Sequence, residues 1–319
     1  MNRSGVVRRV LWWLAIVALI GVAVPVFARA TGIETGVLAL LVAFMPWVTV
    51  ACLVPLVLAL IARSWVLAGA AVALFALCAY WQAPLFIGGG GGGESNITVA
   101  SVNMKFGQAD ADEIVAMVRD NEVDLLSLQE LTPEAVVALN AAGLDGELGY
   151  SEVLAEPGIT GTGLWSRYPL TNVEELQGFV SGQIVATVEA PEGSFTMLAV
   201  HPRAPGSRNH IGWEAEMNLL RDELGAIDGP VIVAGDFNTT RDHRVFREIE
   251  ALGYSNAADR IDAGFHPTFR QGTEMVPLVV IDHVLTRDIP LRPATYSTLV
   301  ITGADHRAVI VGYTQSGGF

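Results

Sequence analysis

Val-Ala-Gly-Asp-Phe-Asn-Thr, residues 233–239, runs an apolar strand into a glycine and then presents a carboxylate and an amide two positions apart. Gly235 lacks a side chain and permits a close turn there. If the backbone stays extended past it, Asp236 and Asn238 lie on one side. A carboxylate so placed accepts a proton from water, and the amide holds that water or a phosphoryl oxygen. Asp and Asn are also ordinary turn residues after a strand, so the stretch alone supports both readings.

Working outward, short apolar or alternating runs recur at residues 97–102, 124–128, 163–166, 184–188, 195–200, 231–234, 279–285 and 308–311. These predict strands, and helical periodicity is expected at 112–121, 133–141, 210–227 and 243–252. No internal repeat is visible, and the mixture suits a single α/β domain. Polar residues stand at the strand ends: Asn103 after the first, Glu130 after the second, His201 after the fifth, Asp236 after the sixth, and Asp305-His306 before the last. So many reactive side chains at strand ends predict one rim where loops converge, the usual ligand site of an open α/β sheet.

The composition divides the chain. Residues 1–93 hold only Arg3, Arg8, Arg9, Arg29, Arg63 and Glu34 as charges. Residues 94–319 hold 14 basic and 32 acidic residues, a formal charge of −18. That field repels polyanions at long range, which argues against a broad basic face for duplex binding but leaves a local, metal-assisted site open. Both cysteines, Cys52 and Cys78, fall in the apolar part, so the remainder has no disulfide framework or thiolate metal site.

A membrane-crossing helix needs about 20 apolar residues. Residues 10–28, 36–62 and 65–87 meet this, with tryptophans near several ends. The expectation is a three-helix membrane domain over 1–87, a glycine-rich flexible tether over 88–95, and a catalytic domain over 96–319. Ala28-Arg29-Ala30 resembles a signal cleavage site, but two further apolar segments follow it. Arg3, Arg8, Arg9 and Arg63 should stay cytoplasmic, with Arg29 the exception. Three crossings then place the catalytic domain outside the cell membrane.

Seven motifs in order resemble those of the endonuclease/exonuclease/phosphatase superfamily. They are Ser101-Val-Asn103, Asp124-Leu-Leu-Ser-Leu-Gln-Glu130, Ser166-Arg-Tyr-Pro-Leu170, Val200-His201, Gly235-Asp-Phe-Asn238, Ile281-Asp-His283 and Ala304-Asp-His-Arg307. The superfamily includes DNase I type nucleases, abasic-site endonucleases, neutral sphingomyelinases and inositol-polyphosphate 5-phosphatases. The resemblance implies a four-layer α/β/β/α sandwich with its site at one end. It also implies Glu130 as principal metal carboxylate, assisted by Asn103 and Asp305, for Mg2+ or Mn2+. Asp236 and Asn238 would handle the attacking water. His201 and His306 would donate to phosphoryl oxygens, with Asp282 setting the His306 tautomer. Two departures stand out: His283 where relatives commonly carry an aromatic, and a loop after His201 lacking the tyrosine of the DNA-repair branch. Arg203 and Arg208 of that loop would grip a second phosphate, or are simply exposed.

These readings imply a phosphoester substrate, either nucleic acid or a lipid-linked phosphate or pyrophosphate of the cell envelope, with the bilayer as the other contact and no protein partner inferable. A catalytically inactive binding module is the alternative from a different class, opposed by the intact Glu130, Asp236, Asn238, Asp282 and His306.

Overall fold

The computed structural model describes residues 3–87, 89–191, 193–206, 210–270 and 277–315. Two compact units emerge: Met1–Pro84 with Gly206–His210 and Asp242–Arg244, and Leu85–Pro205 with Ile211–Arg241 and Val245–Phe319.

The first unit carries five helices, α1 (Arg3–Thr31), α2 (Val37–Ala43), α3 (Met45–Ala51), α4 (Leu53–Ile61) and α5 (Trp65–Gln82). Two segments, Gly5–Thr31 and Trp65–Leu85, are long and apolar enough to cross a membrane. The middle segment, expected as one helix over 36–62, instead bends by 76° between Val37–Ala43 and Met45–Ile61. Pro46 sits in the first turn of α3, where its ring opposes continuation of the preceding helix. Among the described residues there are therefore two candidate spans, or three if the bent pair counts as one.

The second unit begins with β1 (Ile97–Asn103), α6 (Ala111–Asp120), β2 (Leu125–Gln129), α7 (Pro133–Ala142), α8 (Leu144–Glu147), β3 (Tyr150–Leu154) and β4 (Thr162–Ser166). It continues with β5 (Leu170–Glu175), β6 (Ile184–Ala190), β7 (Gly193–Val200), α9 (His210–Ala226), β8 (Val231–Asp236) and α10 (Arg244–Ala251). The last elements are β9 (Ser255–Asn256), α11 (Ala257–Arg260), β10 (Asp282–Arg287), β11 (Leu291–Val300) and β12 (Arg307–Gln315). They form two six-stranded sheets, ordered β11-β12-β1-β2-β4-β3 and β5-β6-β7-β8-β10-β9.

Alternation along the strands builds the layers. Val99, Leu125, Ala199, Ile232, Val284 and Val311 share the core between the sheets. Ala100, Val102, Leu126 and Ile310 face the other way, onto Ile114, Met117 and Leu139 of α6 and α7. On the second sheet, Phe246 of α10 packs its ring against His283 of β10 at 4.6 Å. The result is the α/β sandwich with helices outside. The two sheets are stitched by a polar thread: Ser101 Oγ donates to Gln129 Oε1, Gln129 Nε2 to Ser127 Oγ, and Ser127 Oγ to the Ala234 carbonyl.

Helix ends follow their capping residues. Asp110 accepts from the Glu113 N–H to start α6, Thr132 accepts from Ala135 to start α7, and Gly143 ends α7 in the left-handed region at φ 98°. The glycine run behaves differently from a free tether. Gly89 donates to the Arg260 carbonyl and Gly92 to the Ala294 carbonyl, at 3.1 and 2.8 Å. A Cβ on Gly91 would lie 2.4 Å from the Ala294 oxygen. Here glycine serves close backbone approach, while Gly88 lies outside the described residues.

Candidate active site

Each sheet contributes one parallel strand pair whose ends meet. In the first sheet β1 and β2 run parallel in register Asn103↔Gln129, so Asn103 and Glu130 emerge side by side. In the second, β7 and β8 run parallel in register Val200↔Gly235, delivering His201 and Asp236. The antiparallel β10 places Asp282 directly opposite Asp236. His306 enters just before β12, beside β1.

Gly235 permits this, though for a different reason from a tight turn. A Cβ on it would lie 2.0 Å from the Val200 carbonyl oxygen, so the residue allows β7 and β8 to close up at the site. Nor does the backbone stay extended afterwards. Asn238 adopts φ 49°, and its N–H donates to Asp236 Oδ1 at 2.8 Å. The two residues are brought together by an Asx-type turn, and the Asn238 amide donates to the Pro202 carbonyl at 3.0 Å. Turn chemistry and site chemistry coincide here.

The side chains form one connected set. Asn103 Nδ2 donates to Asp236 Oδ2 at 3.1 Å and to Glu130 Oε1 at 3.3 Å, while its Oδ1 accepts from Lys105 N. Glu130 Oε2 accepts from the Phe106 N–H at 2.8 Å. His306 Nδ1 donates to Asp282 at 2.9 and 3.2 Å. The Nε2 atoms of His201 and His306 each stand 3.7 Å from Asp236 Oδ2. Lys105, Phe106, Glu130 and Asn238 all have positive φ, between 46° and 55°, a conformation that costs non-glycine residues about 1 kcal/mol each and concentrates at functional sites.

The electrostatics divide the set. Burial pushes the Asp236 carboxyl up, partly offset by the His306 charge. Burial alone would push His306 down, but the carboxylates of Asp282 and Asp236 outweigh it and raise the ring to about 10. His201 is lowered to about 4 by burial and by the nearby His306 charge. Burial raises Glu130; hydrogen bonds from Phe106 and Asn103 oppose this, and the Asp305 charge adds to it. The site thus holds an imidazolium, a neutral imidazole and a carboxyl displaced towards neutrality.

Asp236, Asp282 and His306 present three ligand atoms within 4.8 Å of one another. The family resemblance implies Glu130, Asn103 and Asp305 for the metal instead. Asp282 and Asp236 already share the single positive charge of His306, whereas Glu130 and half-buried Asp305 repel each other. Hard carboxylate oxygens without sulfur fit a divalent cation of the Mg2+ type.

Other expected residues fall at the margin. Arg203 Nε pairs with Glu216 Oε1 at 3.3 Å, and its N–H donates to Glu216 Oε2 at 2.9 Å. Arg208 lies outside the described residues. His283 faces away from the site, Nε2 donating to the Thr239 carbonyl and Nδ1 accepting from Asn256. The sequence reading missed Gln183, which accepts from the His201 N–H at 2.7 Å, and Phe269, whose ring lies 4.7 Å from that of His306. It also missed Thr268, whose hydroxyl accepts from Ile281 and Asp282 N–H groups. For Thr268 and Phe269 the clue was His-Pro-Thr-Phe-Arg, residues 266–270, in the loop before the Asp282 strand.

A carboxylate-lined, histidine-bearing rim on a two-sheet α/β sandwich defines a phosphoester hydrolase. The pattern of the Endonuclease/Exonuclease/phosphatase family matches residues 100–306, and the chain belongs to that family. UPF0294 protein VP2298 of Vibrio parahaemolyticus is 23% identical over 150 residues, 47% of each chain; the match spans about half of that relative. D. rerio TDP2 complexed with single-strand DNA product superposes with a TM-score of 0.54 at 15% identity, covering 69% of this chain and 99% of that one. Sphingomyelinase C from Streptomyces griseocarneus gives 0.50 at 18%, covering 68% and 98%. At such identities the likeness shows the fold.

Proposed function

We propose that the protein is a membrane-anchored, Mg2+- or Mn2+-dependent phosphodiesterase of nuclease type, acting on the extracytoplasmic side. One observation carries the reading: Asn103, Glu130, His201, Asp236, Asn238, Asp282 and His306 form a single connected set drawn from both sheets.

Glu130, with Asp305 beside it and Asn103 orienting it, would hold the cation, which when bound would polarise a phosphoryl oxygen and offset developing charge. Asp236 accepts the proton of the attacking water, a role suited by a carboxyl whose affinity for protons is raised. Asn238 holds that water in line. His306, cationic and oriented by Asp282, donates from Nε2 to a phosphoryl oxygen, and His201 donates to another. Arg203 and Arg208 supply guanidinium contacts to a further phosphate.

Support for nucleic acid comes from the TDP2–DNA likeness. A lipid-linked phosphate or pyrophosphate is the second reading, motivated by the charge of −18 over residues 94–319, the apolar N-terminal helices and the sphingomyelinase likeness. The full chain in detergent, incubated with single- and double-stranded DNA, RNA and a polyprenyl pyrophosphate in micelles, separates them. Turnover of nucleic acid supports the first reading. Phosphate release from the lipid alone replaces it with the second. Inertness on every substrate, with a cellular phenotype surviving Glu130→Gln and Asp236→Asn, would leave the inactive module.

The sidedness rests on crossing number. Met45–Ile61 is 17 residues, about 25 Å of helix, within the range of roughly 17–25 residues that spans a bilayer. Counted as one span, it makes three crossings. Arg8, Arg9 and Arg63 then lie on the inner side and the catalytic domain on the outer.

A further inference from the structure

The helical unit has a polar feature that catalysis does not use. Near the start of α1 and at the turn between α4 and α5 lies an open cavity of about 700 Å³, lined by Arg8, Arg9, Trp12, Trp13, Arg63 and Ser64 among others. Three arginines line it. Among the described residues none of the three makes a carboxylate ion pair, and the one acidic residue in 1–93 is Glu34, beyond the far end of α1. Arg8 Nε donates to the Ala62 carbonyl at 2.6 Å, which fixes the stem and leaves the terminal nitrogens for a ligand.

The cavity also reaches a helix start: Ser64 lines it and precedes the 18-residue α5 without a side-chain cap, which leaves the first-turn N–H groups of that helix without a side-chain acceptor. Arg63 reaches its place through φ 53°. Trp12 and Trp13 pack edge to face at 4.8 Å, and Trp13 is 57% exposed. Indoles beside arginines at the end of apolar helices match the interface of a bilayer, where rings sit at headgroup depth.

We infer that this cavity binds the phosphate headgroup of an anionic glycerophospholipid. The inference rests on the reading that the helices lie in a membrane, and adds a selective lipid site to it. Zwitterionic headgroups carry a compensating amine cation that three unpaired guanidiniums repel, so selectivity follows charge.

Native mass spectrometry of the full chain in mild detergent, titrated with phosphatidylglycerol or phosphatidylcholine of matched acyl chains, tests it. Retention of phosphatidylglycerol at concentrations where phosphatidylcholine is lost is expected. An arginine near the headgroup contributes about fivefold, so R8Q/R9Q/R63Q should weaken retention on the order of a hundredfold, and Arg9→Gln or Arg63→Gln alone by about fivefold. Equal retention of both lipids, or undiminished retention in all three variants, overturns the inference. So does complete displacement by millimolar inorganic phosphate, which would assign the cavity to a soluble anion. Carbonate extraction of membranes separates the underlying reading: a chain that washes off is not membrane-embedded and both fall, whereas a retained chain indifferent to headgroup loses the lipid site alone.

Discussion

Asp236 and Asp282 stand directly opposite each other on neighbouring antiparallel strands. Like charges in that position destabilise a sheet. His306 resolves the conflict: its Nδ1 donates to Asp282 at 2.9 Å while its Nε2 lies 3.7 Å from Asp236 Oδ2. The same ring that makes the strand pair tolerable presents a cationic donor at the site, so stability and proposed chemistry share one residue.

That sharing predicts an alkaline signature. His306 has its folded pKa raised from 6.5 to about 10. A raised pKa stabilises the folded state below the unfolded value, and the benefit is lost as pH climbs through the folded one. The melting temperature should therefore fall between pH 7 and 10 in the native chain and flatten in His306→Gln. Parallel slopes in the two proteins would contradict the assignment.

Asp282→Asn keeps the shape of its side chain but removes the anion that holds the His306 proton. Turnover should fall about 10²- to 10⁴-fold, the usual contribution of positioned proton donors, with the melting profile at neutral pH still cooperative. KM should move little. A variant with native turnover would remove His306 from the reaction.

Acid acts on two other rings. His201 and His283 are both lowered to about 4 by burial. Between pH 4 and 6.5 the unfolded state binds more protons, so stability rises with pH there and is lost on acidification. At 1.36 kcal/mol per pKa unit, each ring accounts for roughly 3 kcal/mol. His283→Gln should reduce the acid slope by about one proton, read from thermal melts across that window.

Asn103 bridges Glu130 and Asp236 through one amide. Asn103→Ala should weaken Mg2+ about 10- to 100-fold, the typical loss when a ligand-orienting partner is removed. Calorimetric titration of the full chain checks this directly, without any substrate.

Most of the sandwich was legible in the sequence because its central strands are buried on both faces. The four strands that escaped, β3, β5, β9 and β11, are the four sheet edges. An edge strand pairs on one side and needs no continuous apolar face: β5 is almost wholly exposed, and β11 carries Pro293 at a register shift beside Thr295. The strand-end residues stood out in the sequence because polar side chains there interrupt the apolar run of each strand. The supports Gln183 and Thr268 act through single hydrogen bonds that leave no periodic trace. The bend in the second apolar segment was written in Pro46, which lipid-embedded helices also tolerate without bending.

That bend makes topology measurable. Three crossings place the C-terminal domain outside; a re-entrant middle segment would leave it on the side of the N-terminus. A C-terminal alkaline phosphatase fusion should be active and a fluorescent-protein fusion dark. The reverse pattern would establish two crossings.

The account stands most directly on metal-dependent hydrolysis. Full-length protein in detergent, given a chromogenic phosphodiester and a DNA oligonucleotide with Mg2+, should show turnover that EDTA abolishes and Asp236→Asn eliminates while remaining folded. Turnover indifferent to EDTA and unchanged in Asp236→Asn would contradict it.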